Sequence, residues 1–519
     1  MGRTEKSIRN FKFTLIAQIV TIVVSFVTRT CLVRILGIEA VSLNGLFTQV
    51  ISAISLAEMG VGTAIVYNLY KPLAEGDHEK VSQLMNLFRT AYWIIAAATL
   101  VIGIILIPWL PYLITDISSD ISYIRIVYLM FIFQSAVSYL FSYKIALMQA
   151  DQNGYIYTRI FTIFKLVGTA LILIVLVISR EFLVFLGANI LLTIVTDLYA
   201  SNVAQKKYPY INKKAKLPKD ERGHIFSNIR NLFIMQFAGR VVDSTDNILI
   251  SSMISTILVG LYSNYMVVIG VFKQLSDRLM TAAAPSMGNL FVTDETDSKE
   301  RNLYRLTFIF YIFASIAIVG TYSCIQPFVE IWLGKEYLLE MSVVFVLCLL
   351  YFVAIIFEPL KNAMFLTGYF AIGRNISFAS AMTNLIVSVI LGRQIGLIGI
   401  FIGTMTTYII EIITKTYYLF KLYLKRSPKY YVFLWIRMIM VFLAEIWIIH
   451  IISNIIILPA LPAFLIMGSL SVLITVIAVT LVFFRTDYYA YVLKLLQTNI
   501  KKAFSKLSSK LPSSRGSKS

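Results

Sequence analysis

LPAFLIMGSLSVLITVIAVTLVFF, residues 461–484, carries no Asp, Glu, Lys, Arg or His. A helix needs about 20 apolar residues to cross the hydrocarbon core of a bilayer, and this stretch supplies them. Working outward, thirteen more such segments can be marked: 11–33, 43–68, 88–114, 121–149, 157–179, 182–204, 229–254, 258–291, 303–327, 339–366, 372–391, 396–424 and 432–457. Composition agrees: of 519 residues 58% are hydrophobic and 14% charged, and mean hydropathy is +0.79. A soluble domain has about 45–50% apolar and about 25% charged residues. No soluble fold of this size covers so much apolar surface with so few charges, and disorder or a disulfide-built scaffold is excluded. The expected fold is an all-α integral membrane protein with about 14 transmembrane helices.

The formal net charge is +19. Its basic residues sit at span ends and tails, as membrane orientation requires, so nucleic acid is not the expected partner. Charge alternates between successive loops. One set holds Lys71 and Lys80, Lys144 and Arg159, the run from Lys206 to Arg222, Lys299 to Arg305, Arg374, and Lys421 to Lys429. The other holds little beyond Arg34, Arg180, Lys335 and Arg393. The positive-inside rule places the first set and both termini in the cytoplasm. The basic N-terminus runs into a stretch too long for a signal-peptide core, which reads as a retained first span. Cys31, Cys324 and Cys348 have neither paired spacing nor a neighbouring His, so neither a metal site nor a disulfide is expected.

The Lys-rich loop divides the first twelve segments into two sets of six. Ile8-Arg9-Asn10 recurs as Ile229-Arg230-Asn231, an offset of about 220 residues. The expected plan is an N-terminal six-helix lobe (1–204), a basic cytoplasmic linker (205–228), a pseudo-symmetric C-terminal six-helix lobe (229–426), an additional helix pair (427–484) and a basic cytoplasmic tail (485–519). Two such bundles form a transporter architecture, with a substrate cavity between them.

Enzyme motifs are missing: there is no GxxxxGK[ST], HExxH, CxxC or GxSxG, so no nucleotide, metal or other cofactor is expected. Polar residues instead fall at helical spacing inside apolar segments. Gln18, Thr21, Ser25 and Arg29 share one face; so do Asn44, Thr48, Ser52, Ser55 and Glu58, and Gln236, Arg240, Asp243 and Asn247. Lys273 and Asp277 are four apart, as are Glu411 and Lys415. A charge at a helix centre costs about 3 kcal/mol on insertion scales, so these faces meet protein or a wet cavity. Two readings stand for each: internal pairs that glue helices, such as Arg240 with Asp243 and Lys273 with Asp277, or groups that bind substrate. Arg29 has no acid within four residues; it pairs with Glu58 across helices or stands as a cation suited to an anionic group. Glu358 and Lys361 bracket Pro359. Gly396, Gly399 and Gly403 read as a close helix contact.

RILGIEAVSLNGLFTQVISAISLAEMGVGTAIVYNLYKPLAEGD, Arg34 to Asp77, and NLIVSVILGRQIGLIGIFIGT, Asn384 to Thr404, resemble the Wzx-type polysaccharide repeat-unit flippases of O-antigen and capsule assembly. These belong to the multidrug/oligosaccharidyl-lipid/polysaccharide exporter superfamily. The resemblance implies a secondary transporter rather than an enzyme. It would carry undecaprenyl-diphosphate-linked oligosaccharide across the bacterial cytoplasmic membrane by alternating access. A coupling ion or the membrane potential would drive it, with polysaccharide polymerase machinery as a possible partner. Arg29, Arg240 and Lys273, with Glu58 and Gln18, are then the candidates to hold the diphosphate and sugar. Tyr139 and Tyr143, beside Ser138 and Ser142, are candidates for sugar contact or for packing. Asp243, Asp246 and Asp277 are candidate ion-coupling carboxylates. The alternatives are a drug/cation antiporter of the same superfamily, a peptidoglycan-precursor flippase, and a membrane polysaccharide polymerase.

Overall fold

Inside a bilayer every backbone N–H and C=O must be satisfied within the protein, which leaves helices and closed barrels. The structure, a computed structural model, adopts the first solution and describes residues 3–55, 61–211, 216–218, 221–223, 244–293, 295–455 and 459–508. Among the described residues 91% are helical and none lies in a strand. Twelve helices among them are long and apolar enough to cross a membrane, making this a multi-pass membrane protein.

In chain order the helices are α1 (Arg3–Ile54), α2 (Val61–Glu75), α3 (His78–Leu106), α4 (Ile121–Ala150), α5 (Gly154–Ser179) and α6 (Phe182–Lys207). Then come α7 (244–253), α8 (Thr256–Thr293), α9 (Thr296–Trp332), α10 (Met341–Leu366), α11 (Phe370–Ile395) and α12 (Leu397–Tyr418). The last are α13 (Lys429–Ile455), α14 (Ala460–Phe483) and α15 (Asp487–Ser508). Fourteen apolar segments become twelve spanning helices for two reasons. Segment 11–33 and the first part of segment 43–68 meet in α1, which kinks at Gly37 (φ 78°), a backbone angle that strains any residue with a Cβ, and the end of the second segment falls in the short α2. Segment 229–254 lies outside the described residues as far as residue 243, which leaves only α7 of it, too short to count as a span.

The chain forms two compact units. The first is built from Met1–Val267, Trp332–Val343 and Ser377–Thr407, the second from Val268–Ile331, Val344–Ile376 and Tyr408–Ser519. In the first unit α4 packs against α2, α3, α5 and α6, and α1 packs on α5. Phe88, Tyr92, Tyr139, Tyr143, Leu147 and Met148 fill the core of that group. Gly168 lets α5 and α6 approach; a Cβ there would stand 2.2 Å from a Leu192 methyl. Outside the spans, Tyr208 donates to Asp151 at 2.9 Å and receives the Asn153 amide at 3.1 Å, clamping the end of α6 to the α4–α5 turn. Burial pushes the Tyr208 phenol up, with Asp151 adding to the effect.

In the second unit α13 packs against α14. Phe352 of α10 stacks on Phe442 of α13 with ring centroids 3.7 Å apart. Thr307 of α9 and Tyr431 of α13 share a hydrogen bond of 3.0 Å. Large apolar side chains are exposed along the helices of both units, Ile163 and Leu171 in the first and Met440, Trp447 and Leu473 in the second. On helices that span a bilayer such faces are solvated by acyl chains, so their exposure carries no penalty.

Candidate functional site

In the first unit Arg29 lies half-buried on α1, and its Nη1 donates to Ser263 Oγ of α8 at 3.1 Å. A guanidinium has five N–H donors. Among the described residues that one bond is its only partner, and no carboxylate lies within ion-pair reach. The surrounding face of α1 is pinned by Trp332. Its indole N–H donates to Thr30 Oγ1 at 2.6 Å and its ring lies 5.1 Å from that of Phe26, while Arg34 donates to its carbonyl at 3.2 Å. Gln18 lies on the same helix and is half-buried. Glu58, the cross-helix partner considered for Arg29, is outside the described residues, as are Gln236, Arg240 and Asp243.

Asp246 is described and buried, on α7. Thr404 Oγ1 of α12 lies 2.8 Å from its Oδ1 and 3.0 Å from its Oδ2, and Asn384 of α11 donates to the same hydroxyl at 3.1 Å. One turn further along α11, Ser388 Oγ donates to the Ile400 carbonyl at 3.1 Å. The α11–α12 contact that carries this chain of groups depends on two glycines. A Cβ at Gly399 would stand 2.2 Å from the Leu391 carbonyl oxygen, and one at Gly403 2.0 Å from Ser388 Oγ. Gly396 has a different task from its two neighbours: at φ 64° with nothing near, it makes the turn between α11 and α12.

Tyr139 and Tyr143 are both buried in the core around α4. Tyr139 Oη shares a hydrogen bond with Ser55 Oγ, and Lys144 Nζ sits 5.9 Å from the centroid of the Tyr143 ring. Ser138 and Ser142 return their hydroxyls to the helix carbonyls of Ser135 and Ser138, at 2.8 Å each.

The second unit holds Lys273 in an ion-pair network. It bonds Asp277 on its own helix and Glu358 of α10 at 3.0 Å, and Glu358 also takes Lys361 at 2.5 Å. Two cations thus meet two carboxylates, and Glu358, 7% exposed, sits at the centre. Glu411 and Lys415 pair at 2.6 Å, and the Lys415 ammonium lies 5.2 Å from the centroid of the Phe357 ring. His450 is held by Tyr322 at Nδ1 (3.1 Å) and by Asn454 at Nε2 (3.2 Å).

Several residues that matter here escaped the sequence reading. Ser263, Trp332, Asn384 and Thr404 are ordinary span residues until packing brings them to Arg29 and Asp246. Glu445, fully buried in α13, had a signal: it is the one acid of a span whose other charged or titratable interior groups are Arg437 and His450, and an ionisable residue at that depth is a functional candidate by default. No group of three or more His, Cys, Asp or Glu that could hold a metal occurs among the described residues.

Residues 7–291 match the family described as "Polysaccharide biosynthesis protein". No curated protein matches the sequence. Among solved structures, the lipid II flippase MurJ in an inward closed conformation is similar at TM-score 0.66 and 14% identity, covering 91% of this chain and 98% of that one. An inward-facing multidrug resistance transporter of the MATE family, in the MOP superfamily, is similar at TM-score 0.58 and 13% identity, covering 75% and 92%. A MATE transporter of Vibrio cholerae, VcmN, is similar at TM-score 0.55 and 16% identity, covering 81% and 98%. At these identities the likeness is one of fold.

Proposed function

The chain belongs to the polysaccharide biosynthesis protein family, and from that premise we propose that it flips undecaprenyl-diphosphate-linked oligosaccharide repeat units across the bacterial cytoplasmic membrane. The lipid-linked unit is taken up at the cytoplasmic leaflet and released at the outer leaflet by alternating access of the two expected lobes, for O-antigen or capsule assembly. Both termini lie in the cytoplasm, and polymerase machinery receives the product.

The observation that carries this reading is Arg29, a half-buried guanidinium in a span with a serine as its hydrogen-bond partner and no carboxylate among the described residues. A planar guanidinium suits a phosphate, which it grips through two parallel N–H bonds. In a site of low dielectric that attraction is far stronger than in water. Arg240 is proposed as a second cation. Lys273 joins them only by exchanging Glu358 or Asp277 for substrate, since its charge is matched at rest. Gln18, Glu58, Tyr139 and Tyr143 are assigned to the sugar side.

We place ion coupling at Asp246, a buried carboxylate held by a hydroxyl that is itself held by an amide. That arrangement gives a small cation a neutral oxygen beside a charged one. Asp243 and Asp277 are the other candidates. A drug/cation antiporter is the second reading; the buried acids Asp246 and Glu445 favour it, while Arg29, which has no carboxylate partner among the described residues, opposes it.

The test is depletion of the protein with the lipid-linked oligosaccharide assayed by leaflet. Build-up on the cytoplasmic side, reversed by the intact gene, is the expected result. Build-up on the outer side supports a polymerase, and no build-up supports a drug exporter.

A further inference from the structure

Glu445 lies in the buried stripe of α13, with Leu434, Trp435, Met438, Val441, Phe442 and Ile449. This stripe faces protein, while Phe433, Met440 and Trp447 on other faces of the helix are exposed. Its neighbours across the interface are Tyr311 and Ser315 of α9. Both are fully buried, as is Glu445 itself. Both carboxylate oxygens of Glu445, the Tyr311 hydroxyl and the Ser315 hydroxyl have no hydrogen-bond partner among the described residues. Four polar atoms thus gather at one place in an aromatic surround, outside hydrogen-bond geometry but with Ser315 near enough to reach both Glu445 and Tyr311. The Tyr311 ring lies 5.4 Å from Phe483, 5.6 Å from Phe308 and 6.1 Å from Phe352, which stacks on Phe442.

We propose that Glu445, with Tyr311 and Ser315, forms a proton-binding site buried between α9 and α13. An ionised carboxylate in such a place needs a cation, and among the described residues none of the charged groups around it supplies one. Arg437, on the same helix, stands about 12 Å along the axis. It donates to the Val482 carbonyl and lies 4.7 Å from the centroid of the Phe483 ring. His450 is held by Tyr322 and Asn454. On α9 the nearest basic residue in sequence, Arg305, pairs with Asp487 at 3.5 Å. From Met341 to Phe357 α10 has only Cys348 and Tyr351 as titratable groups, and α14 has none.

A proton answers the arrangement better than a metal cation does. Hard cations collect about six oxygen ligands or more, whereas two carboxylate oxygens and two hydroxyls are gathered here. An un-ionised carboxyl donates once and still accepts, and each hydroxyl both donates and accepts, so three such groups can satisfy one another after small rotations. The site is independent of what the protein carries, so its test does not depend on the flippase reading.

The test uses the purified full-length chain in nanodiscs. Infrared difference spectra across a pH titration read the carbonyl stretch of an un-ionised buried carboxyl. That band is expected at neutral pH, is lost as pH rises, is absent in Glu445→Gln, and shifts in frequency in Tyr311→Phe. The unsubstituted chain gives a second reading that needs no variant. A hydrophobic carbodiimide modifies protonated carboxyls, so modification of Glu445, mapped by mass spectrometry, is expected to fall as pH rises and to ignore sodium. Suppression by sodium at constant pH would make the site a metal-cation site and overturn the proposal. So would the same spectrum for wild type and Glu445→Gln, or carbodiimide labelling of Glu445 that does not change with pH.

Discussion

The hydroxyl of Thr404 donates to the carboxylate of Asp246 from 158 residues away in sequence, 2.8 Å from one oxygen and 3.0 Å from the other. Asn384 feeds the same hydroxyl, so three helices, α7, α11 and α12, share one polar chain. Asp246→Asn keeps the shape and removes the charge. It is expected to insert and fold normally while net transport falls at least about tenfold, as about 1.4 kcal/mol of lost coupling would require. Thr404→Val is expected to cost about 1–3 kcal/mol of stability, because it strips a donor from a buried carboxylate. Thermal unfolding in detergent and transport in proteoliposomes separate the two. Unchanged transport in Asp246→Asn would remove Asp246 from coupling.

Arg29→Ala is expected to abolish export of surface polysaccharide while the protein still inserts. Arg29→Lys should keep the charge but lose the bidentate grip and retain partial function. Ser263→Ala, which removes a single neutral acceptor, is expected to cost little. Cell-surface polysaccharide with a membrane-insertion control reads all three. Normal surface polymer in Arg29→Ala would take Arg29 out of the site.

Glu358 sits between Lys273 and Lys361, so removing it leaves Asp277 as the one remaining acid of the network against two cations. Glu358→Gln is expected to destabilise by ~3 kcal/mol, the usual scale for breaking a buried pair from one side. The double variant Lys273→Met with Glu358→Met should cost less than Glu358→Gln alone. A double variant that melts lower than the single one would show that the network contributes more than charge matching.

Gly399 and Gly270 make a matched comparison. A Cβ at Gly399 would meet the Leu391 carbonyl at 2.2 Å, whereas one at Gly270 meets nothing within 4 Å. Gly399→Ala should cost about 1–3 kcal/mol by forcing α11 and α12 apart, and Gly270→Ala should be neutral or stabilising by about 0.5–1 kcal/mol. If both melt alike, the close approach of α11 and α12 does not contribute to stability.

Ion pairs at helical spacing were legible in advance. Lys273 with Asp277 and Glu411 with Lys415 are set by the helix repeat alone, and both form. The pairing of Lys273 with Glu358 was not legible, because 85 residues and a choice of facing helix lie between them. Of the three glycines at 396, 399 and 403, spacing suggested one packing motif; backbone angles assign the first to a turn instead.

Apolar runs of spanning length, with charge confined between them, were enough to determine an all-helical membrane protein, because the bilayer core admits no unpaired backbone and the 3.6-residue repeat fixes which neighbours meet on one helix. Tertiary packing alone decided that Arg29 meets Ser263, that Asp246 meets Thr404, and that Glu445 is buried beside Tyr311 and Ser315. Those contacts join helices far apart in the chain, and which helical faces meet depends on side-chain fit across the whole bundle rather than on any local pattern.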